Sequence, residues 1–484
     1  MNKVEDLIQK KEEIHLGGGE DMLQGQHLKG KLGARERINY LLDEGSFVEI
    51  DSFIKNSRVV CGYGTIEGAL VYLYSEDYTR NGGSMNMASA RKISHIMELS
   101  LKMGAPLIQL MDSVGGDLKE GLDVLNAYCK ILKGNSCLSG VVPQISVVLG
   151  PCTGMAAVSA AISDFTILAG QGTLYLSSPK DIINEEKRFI EEESYGKAKT
   201  GSVQFRRDKE EEGLDLVKKL IEYFPANNLD NVHDNMENYK EFIIEELDNM
   251  ANKNEVDIDK LLSLVLDDNS RIDMDKDITE KVIVAMGKVN GMPLGVIAFK
   301  DELLEKKSIE KITKNIKLWN AFNVPMVFFT QGRGFEAMIK DENSLAFDVA
   351  KMTFALSEAT VPKVSILIGE TYGAVLGILA NKNLGFDVVY AWPNCKVAIA
   401  EGSKIIRSLY EEEIVSSENP KDKEEKLIKE NIEKVTDIYK AAEAGLIDDI
   451  LIPRETRAKV FMAMDMLRSK REIKYPRKHG SMFL

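Results

Sequence analysis

The chain has 484 residues, 44% of them hydrophobic, enough for about two or three domains with full cores. Its formal charge of −14 speaks against a general nucleic-acid binder, which needs clustered Lys and Arg to meet phosphate. No uninterrupted apolar stretch reaches the roughly 18 residues of a membrane span. The opening MNKVEDLIQKKEEIH lacks the apolar core of a signal peptide, so a soluble cytoplasmic protein is expected.

In chain order, the predicted elements come in two matching sets. GYGTIEGALVYLYSED starts the first, with Glu67-Gly68 predicting a hairpin between β-rich runs. PLIQLM predicts a buried strand that ends in the glycine loop DSVGGDLKEG. Leu122, Leu125, Cys129 and Leu132 then share one helical face, which predicts an amphipathic helix over the sheet. QISVVLG predicts the next strand and runs into GPCTGMAA. From about Asn227 to Asp259 the chain is charged and poor in large apolar clusters, as expected of an interdomain linker. The second set repeats the order. Asn290-Gly291 marks a hairpin, VPMVFF a strand before QGRGFEAM, and Leu345, Val349, Met352 and Leu356 a helical face. KVSILIG is a strand before GETYGAVLG. Towards the end, Ile428, Ile432, Val435 and Ile438 form a stripe on a charged segment, expected to be a solvated surface helix.

The two sets are in register. Pro106 and Pro325, Pro143 and Pro362, Gly150 and Gly369, and Gly154 and Gly373 all differ by 219 (325 − 106 = 219). The hairpin glycines Gly64 and Gly287, and Gly68 and Gly291, differ by 223 (287 − 64 = 223), so a short gap intervenes. This is a duplication, with domains expected at 1–226 and 260–484 and the linker at 227–259. Strand, helix, strand order in each half predicts an α/β fold with a largely parallel sheet.

The chemistry is carried by glycines rather than by side chains. Glycine loops at strand ends can aim backbone N–H groups into a cleft, and such donors can hold the oxyanion of an enolised thioester. Each donor is worth roughly 10²–10³ in rate. Any one loop is better read as tight strand-to-helix packing; four at equivalent places point to paired sites. The cysteines at 61, 129, 137, 152 and 395 show no CxxC pair, and no two of the five histidines lie within four residues, so no metal site is expected. There is no GxSxG elbow, no His beside the loops and no Walker phosphate loop.

LGGGED, QHLKGKLGARERINYLLDEGSFVEID, YSEDYTRNGGS, GAPLIQLMDSVGG, GVVPQISVVLGPCTG, ATVPKVSILIGETYG, YAWPN and AAEAGLIDDILIPRETRAKVFMAMDMLRSKRE span nearly the whole chain. Together they resemble the biotin-dependent acyl-CoA carboxyltransferases of the crotonase superfamily, of the propionyl-CoA carboxylase beta and methylmalonyl-CoA decarboxylase alpha type. The resemblance implies two tandem homologous crotonase-like domains, the first holding the acyl-CoA and the second biotin. It implies an active site shared between subunits of a homodimer or homohexamer. It also implies that biotin carries the carboxyl group and takes the α-proton, while backbone amides hold the thioester enolate.

Carried over by position, Gly115 and Gly116 fall in an SGGAR-type loop, and Gly154 and Met155 where paired glycines face the thioester. Gly373, Ala374 and Val375 take the place of a YGGAY motif facing biotin, and Gly334 and Phe335 keep the GF of a PGFxxG loop. Gly82, Gly83 and Ser84 of YTRNGGS are implied to bind substrate or cofactor, and Gly377 to help line the acyl pocket. Several positions depart from the pattern. Asp117 and Leu118 stand for Ala and Arg, Met155 and Ala374 for glycines, Arg333 for the proline and Met338 for the later glycine. ESYGKAKTGS lacks the family's histidine. A biotin carboxyl carrier protein is implied as partner, with a biotin carboxylase or a membrane decarboxylase subunit beside it. The changed glycines suit one alternative, a divergent structural or regulatory paralogue; another, a biotin-independent hydratase or hydrolase, leaves the second half unexplained.

Overall fold

Two left-handed dipeptides fix the framework. Glu67 and Gly68 have φ of 50° and 80°, and Asn290 and Gly291 have φ of 51° and 78°. Consecutive positive φ values make the tight turn whose twist matches paired strands. Val59–Ile66 therefore pairs antiparallel with Ala69–Glu76, and Val282–Val289 with Met292–Phe299. One aspartate holds each turn: Asp43 accepts from the amides of Glu67 and Gly68 at 2.9 Å each. Asp267 accepts from Asn290 and Gly291 at 2.9 and 2.8 Å.

The computed structural model describes residues 2–177, 202–232, 243–253, 256–300, 303–336 and 342–482. Two units cluster, Met1–Asn231 and Val232–Leu484. In the first, the strands lie side by side in the order Val48–Ile50, Val59–Ile66, Ala69–Glu76, Leu107–Met111, Gln144–Val148, Phe165–Ala169 and Phe205–Arg207. In the second, the order is Ile272–Met274, Val282–Val289, Met292–Phe299, Met326–Gly332, Lys363–Tyr372, Val388–Ala391 and Asp449–Ile450. Each sheet is antiparallel through its third strand and parallel beyond it. Adding 219 to 144–148 and 151–153 gives 363–367 and 370–372, the two ends of the single long strand Lys363–Tyr372. Two homologous α/β units are thus present, as the repeat required.

Burial corrects some details. The helix Asp123–Leu138 buries Val124, Ala127, Tyr128, Ile131 and Leu138. The expected face points outward: Leu122 is 80% and Leu125 51% exposed, and Cys129 is exposed as well. Apolar residues occupy both sides of this helix, and periodicity alone does not say which side meets the sheet. In the second unit Leu345, Met352 and Leu356 are buried, with Val349 half-buried. The helix Pro420–Val435 is not merely solvated, because Ile428, Ile432 and Val435 pack on a cluster of Ile406, Ile414 and Leu427. Of the stretch 227–259, residues 233–242 and 254–255 lie outside the described residues. Its helix Glu245–Ala251 buries Leu247, Met250 and Ala251 in the second unit.

The repeat extends to buried lysines that the sequence did not single out. Lys92 and Lys311, 219 apart (311 − 92 = 219), donate to the carbonyls of Val59 and Val282 at 2.9 and 3.1 Å. Burial pushes the Lys311 ammonium down to about 8.

Candidate active site

In the first unit, the turn 81–84 lies along the loop 112–117. Val114 N donates to Gly82 O at 3.0 Å, Met85 N to Gly115 O at 2.8 Å, and Asp117 N to Met85 O at 2.8 Å. Gly83, at φ 64°, leaves no room for a Cβ, which would stand 2.4 Å from Asp112 O. A Cβ on Gly116 would stand 2.4 Å from Val124 Cγ1, and one on Gly115 3.2 Å from Thr153 Oγ1. Gly82, Gly83, Ser84, Gly115 and Gly116 are therefore brought together, with the loop before Gly154 adjoining them. Among the described residues, the Gly116 amide donates to no protein acceptor.

Gly154 starts the next helix at φ 60°, ψ −126°, a conformation closed to side-chain-bearing residues. Met155 is the first residue of that helix, Met155–Ile162. Val158 N reaches Gly154 O at 3.3 Å, which leaves the amides of Met155, Ala156 and Ala157 without a backbone acceptor among the described residues. Cys152 in the same loop is no nucleophile: it is buried, and burial raises its thiol well above the usual range.

Behind these loops sits a buried ionic network. Asp112 receives Lys31 Nζ at 2.7 Å and lies 2.9 Å from the Arg37 guanidinium, and Arg37 grips Glu210 with two bonds of 2.9 and 2.7 Å. Asp112 N donates to Glu76 at 2.8 Å. Burial drives the Glu76 carboxyl up to about 8, with the neighbouring Asp112 charge adding to the rise. A carboxyl raised in the folded state stabilises fully below its ordinary 4.5, and that contribution is lost as pH rises through about 8. The first unit is expected to weaken over that window, and Glu76→Gln to flatten the decline. Hydrogen exchange in Gln144–Val148 of the first unit, corrected for the intrinsic pH dependence of exchange and followed from about pH 5 to 9, checks this; parallel wild-type and variant curves would contradict it.

Against the same loop, Arg58 donates to Asp117 at 2.5 Å, to Ser84 O at 2.9 Å and to Ser84 Oγ at 2.6 Å. The bond from Arg58 holds the Asp117 carboxyl below its usual range.

The second unit repeats the arrangement. Gly373 has φ 56°, and the helix Gly373–Leu379 places Ala374 and Val375 in its first turn, where amides lack intrahelical acceptors. Gly334–Phe335 pairs with Leu303–Leu304, and Glu336 N donates to Leu304 O at 2.9 Å. Leu304 and Glu336 are the 219-shifted positions of Met85 and Asp117, so the same backbone bond recurs (85 + 219 = 304; 117 + 219 = 336). Arg333, in place of a proline, lies 2.9 Å from Glu370, which also holds Lys396 at 3.1 Å. A Cβ on Gly377 would meet nothing within 4 Å, so open space stands there. Met338 and residues 193–201 of ESYGKAKTGS lie outside the described residues.

Arg58, Lys31, Arg37 and Glu210 had no signal in the sequence. Their charged partners lie 59 to 173 positions away along the chain, and single charged residues carry no spacing pattern.

A family model for the carboxyl transferase domain matches residues 25–482. The chain is 33% identical to a propionyl-CoA carboxylase carboxyltransferase subunit of Haloferax mediterranei, over 99% of both chains. It is 32% identical to the methylmalonyl-CoA decarboxylase subunit alpha of Propionigenium modestum, over 99% of this chain and 98% of the relative. A crystal structure of transcarboxylase 12S, a hexamer with methylmalonyl-coenzyme A and methylmalonic acid bound, superposes with a TM-score of 0.93 at 30% identity. That match covers 99% of this chain and 97% of the other. Fold, repeat and sequence agree: the chain belongs to the carboxyl transferase domain family.

Proposed function

We propose that this chain is the carboxyltransferase subunit of a biotin-dependent acyl-CoA carboxylase or decarboxylase. It moves a carboxyl group between biotin and the α-carbon of a short acyl-CoA of the propionyl-CoA/methylmalonyl-CoA type. The observation that carries this reading is the recurrence of a left-handed glycine heading a helix, Gly154 before Met155 and Gly373 before Ala374. The substrates named for the relatives support the acyl class.

The amides of Gly116 and Met155 hold the thioester oxygen as enolate charge develops on it. Gly82, Gly83 and Ser84 shape the turn beside them. In the second unit Gly373, Ala374 and Val375, with Gly334 and Phe335, would hold biotin. The backbone there is suited to close approach, since a Cβ on Gly373 would stand 3.2 Å from Ile399 O and one on Gly377 would meet nothing within 4 Å. When bound, biotin supplies the carboxyl carrier and the base, so no histidine is required of the protein. The charges introduced at Asp117 and Arg333 both carry partners within their own units, which favours a working site over a decayed one.

The chain is proposed to work in the cytoplasm as a homo-oligomer, meeting a biotin carboxyl carrier protein and a further carboxylase or membrane decarboxylase subunit. Among the described residues no helix is long and apolar enough to cross a membrane. The attachment motif of biotin carriers, a lysine between methionines, is only partly echoed by AMGKV at 285–289, and its Lys288 lies inside the strand Val282–Val289, paired to Pro293. Intact-mass measurement after expression with biotin ligase is therefore expected to find no biotin on this chain; biotinyl-Lys288 would contradict that. The substrate reading is tested by incubating the purified protein and biotin with malonyl-, methylmalonyl- and ethylmalonyl-CoA. Methylmalonyl-CoA is expected to lose CO₂ fastest, and inertness of all three, with the carrier present too, would overturn the reading.

A further inference from the structure

A carboxylate beside amides that stabilise a developing oxyanion is a liability. Asp117 follows the Gly116 amide directly, at a position where the family resemblance places alanine. Left alone, its charge would oppose the enolate that the amide serves. Arg58 meets that charge. Its side chain is 15% exposed and that of Asp117 8%, so water screens the pair poorly. The same guanidinium also donates to Ser84 O and Ser84 Oγ, and Asn81 Nδ2 donates to Ser84 Oγ at 3.0 Å. One side chain therefore ties the 81–84 turn to the 115–117 loop, alongside the backbone bonds through Met85.

We infer that Arg58 and Asp117 form a compensating clamp. Arg58 is the positioning residue that neutralises Asp117 and fixes the Gly116 amide, and neither side chain touches the reacting atoms. This rests on the reading of the Gly116 amide as an enolate donor. The clamp makes a prediction that a simple structural salt bridge does not. Removing Arg58 alone exposes an anion next to the oxyanion, whereas removing both charges does not.

The test is steady-state decarboxylation of methylmalonyl-CoA with biotin by wild type, Arg58→Met, Asp117→Ala and the double variant. Arg58→Met is expected to lose on the order of tenfold or more in kcat with KM changed less than about twofold. Asp117→Ala is expected to lose only about threefold, and the double variant to recover most of what Arg58→Met lost. Arg58→Lys keeps the charge and should fall between. Hydrogen exchange of amides 113–120 is read in parallel and needs no turnover; it should quicken in Arg58→Met. A double variant as slow as Arg58→Met, or an Arg58→Met enzyme with wild-type kcat, overturns the clamp while leaving the proposed function standing. If wild type itself is inert, the proposed function fails, and unchanged exchange at 113–120 in Arg58→Met then overturns the clamp on its own.

Discussion

Met155→Pro is expected to lose roughly 10²-fold or more of carboxyl transfer, while Met155→Ala keeps most of it. If this position works through its backbone N–H, side-chain chemistry matters little and the loss of the N–H matters greatly. The fold makes the comparison cleaner than the sequence alone allowed. Met155 is the first residue of the helix Met155–Ile162, the helical position where proline fits best, and its missing N–H breaks no intrahelical bond. The methionine side chain packs partly against the first unit's core, and where it borders the proposed acyl site Met155→Ala is expected to shift acyl preference through pocket volume. Folding and CoA binding are checked beside the rate. Equal rates for the two variants, both folded and both binding CoA, would remove this amide from the mechanism.

Arg37→Met is expected to destabilise the first unit by about 3–5 kcal/mol. The guanidinium is 1% exposed and serves two carboxylates, Asp112 and Glu210, that are equally hidden. Burial works against its charge, and those two carboxylates more than restore it. Its removal strands Glu210 in the interior, while Lys31 still faces Asp112. Because the chain has two units, a single unfolding midpoint is not a clean measure. Hydrogen exchange in Gln144–Val148 and Phe165–Ala169 reports the first unit directly. Arg37→Met/Glu210→Gln should regain part of the loss. A change below about 1 kcal/mol in Arg37→Met would show that the network is not what holds Asp112 beneath its loop.

The parts of the fold legible in the sequence were those set by local rules. Glu67-Gly68 and Asn290-Gly291 announced their hairpins because few dipeptides accept two successive left-handed residues. The 219-residue offset announced two equal units because prolines and glycines mark strand starts and tight loops, where substitution is costly. What stayed hidden depended on partners distant in the chain. The helix Asp123–Leu138 offers apolar residues on both faces, and only the sheet beneath decides for Val124 and Ile131 over Leu122 and Leu125. The glycine loops were visible as candidates, and the meeting of Gly82–Ser84 with Gly115–Gly116 was not, because it is made by Met85 and Arg58. Asp117 looked like a departure from a family pattern. With Arg58 in place it reads as half of a pair.

As proposed, this protein exchanges a carboxyl group between an acyl-CoA and biotin, with its own contribution made by backbone amides. The most direct measurement is release of labelled CO₂ from carboxyl-labelled methylmalonyl-CoA by the purified wild-type protein, with and without added biotin. Release that rises with biotin concentration and yields propionyl-CoA is the predicted result. Release at the same rate without biotin, or none at any biotin concentration with the carrier protein also supplied, would contradict it.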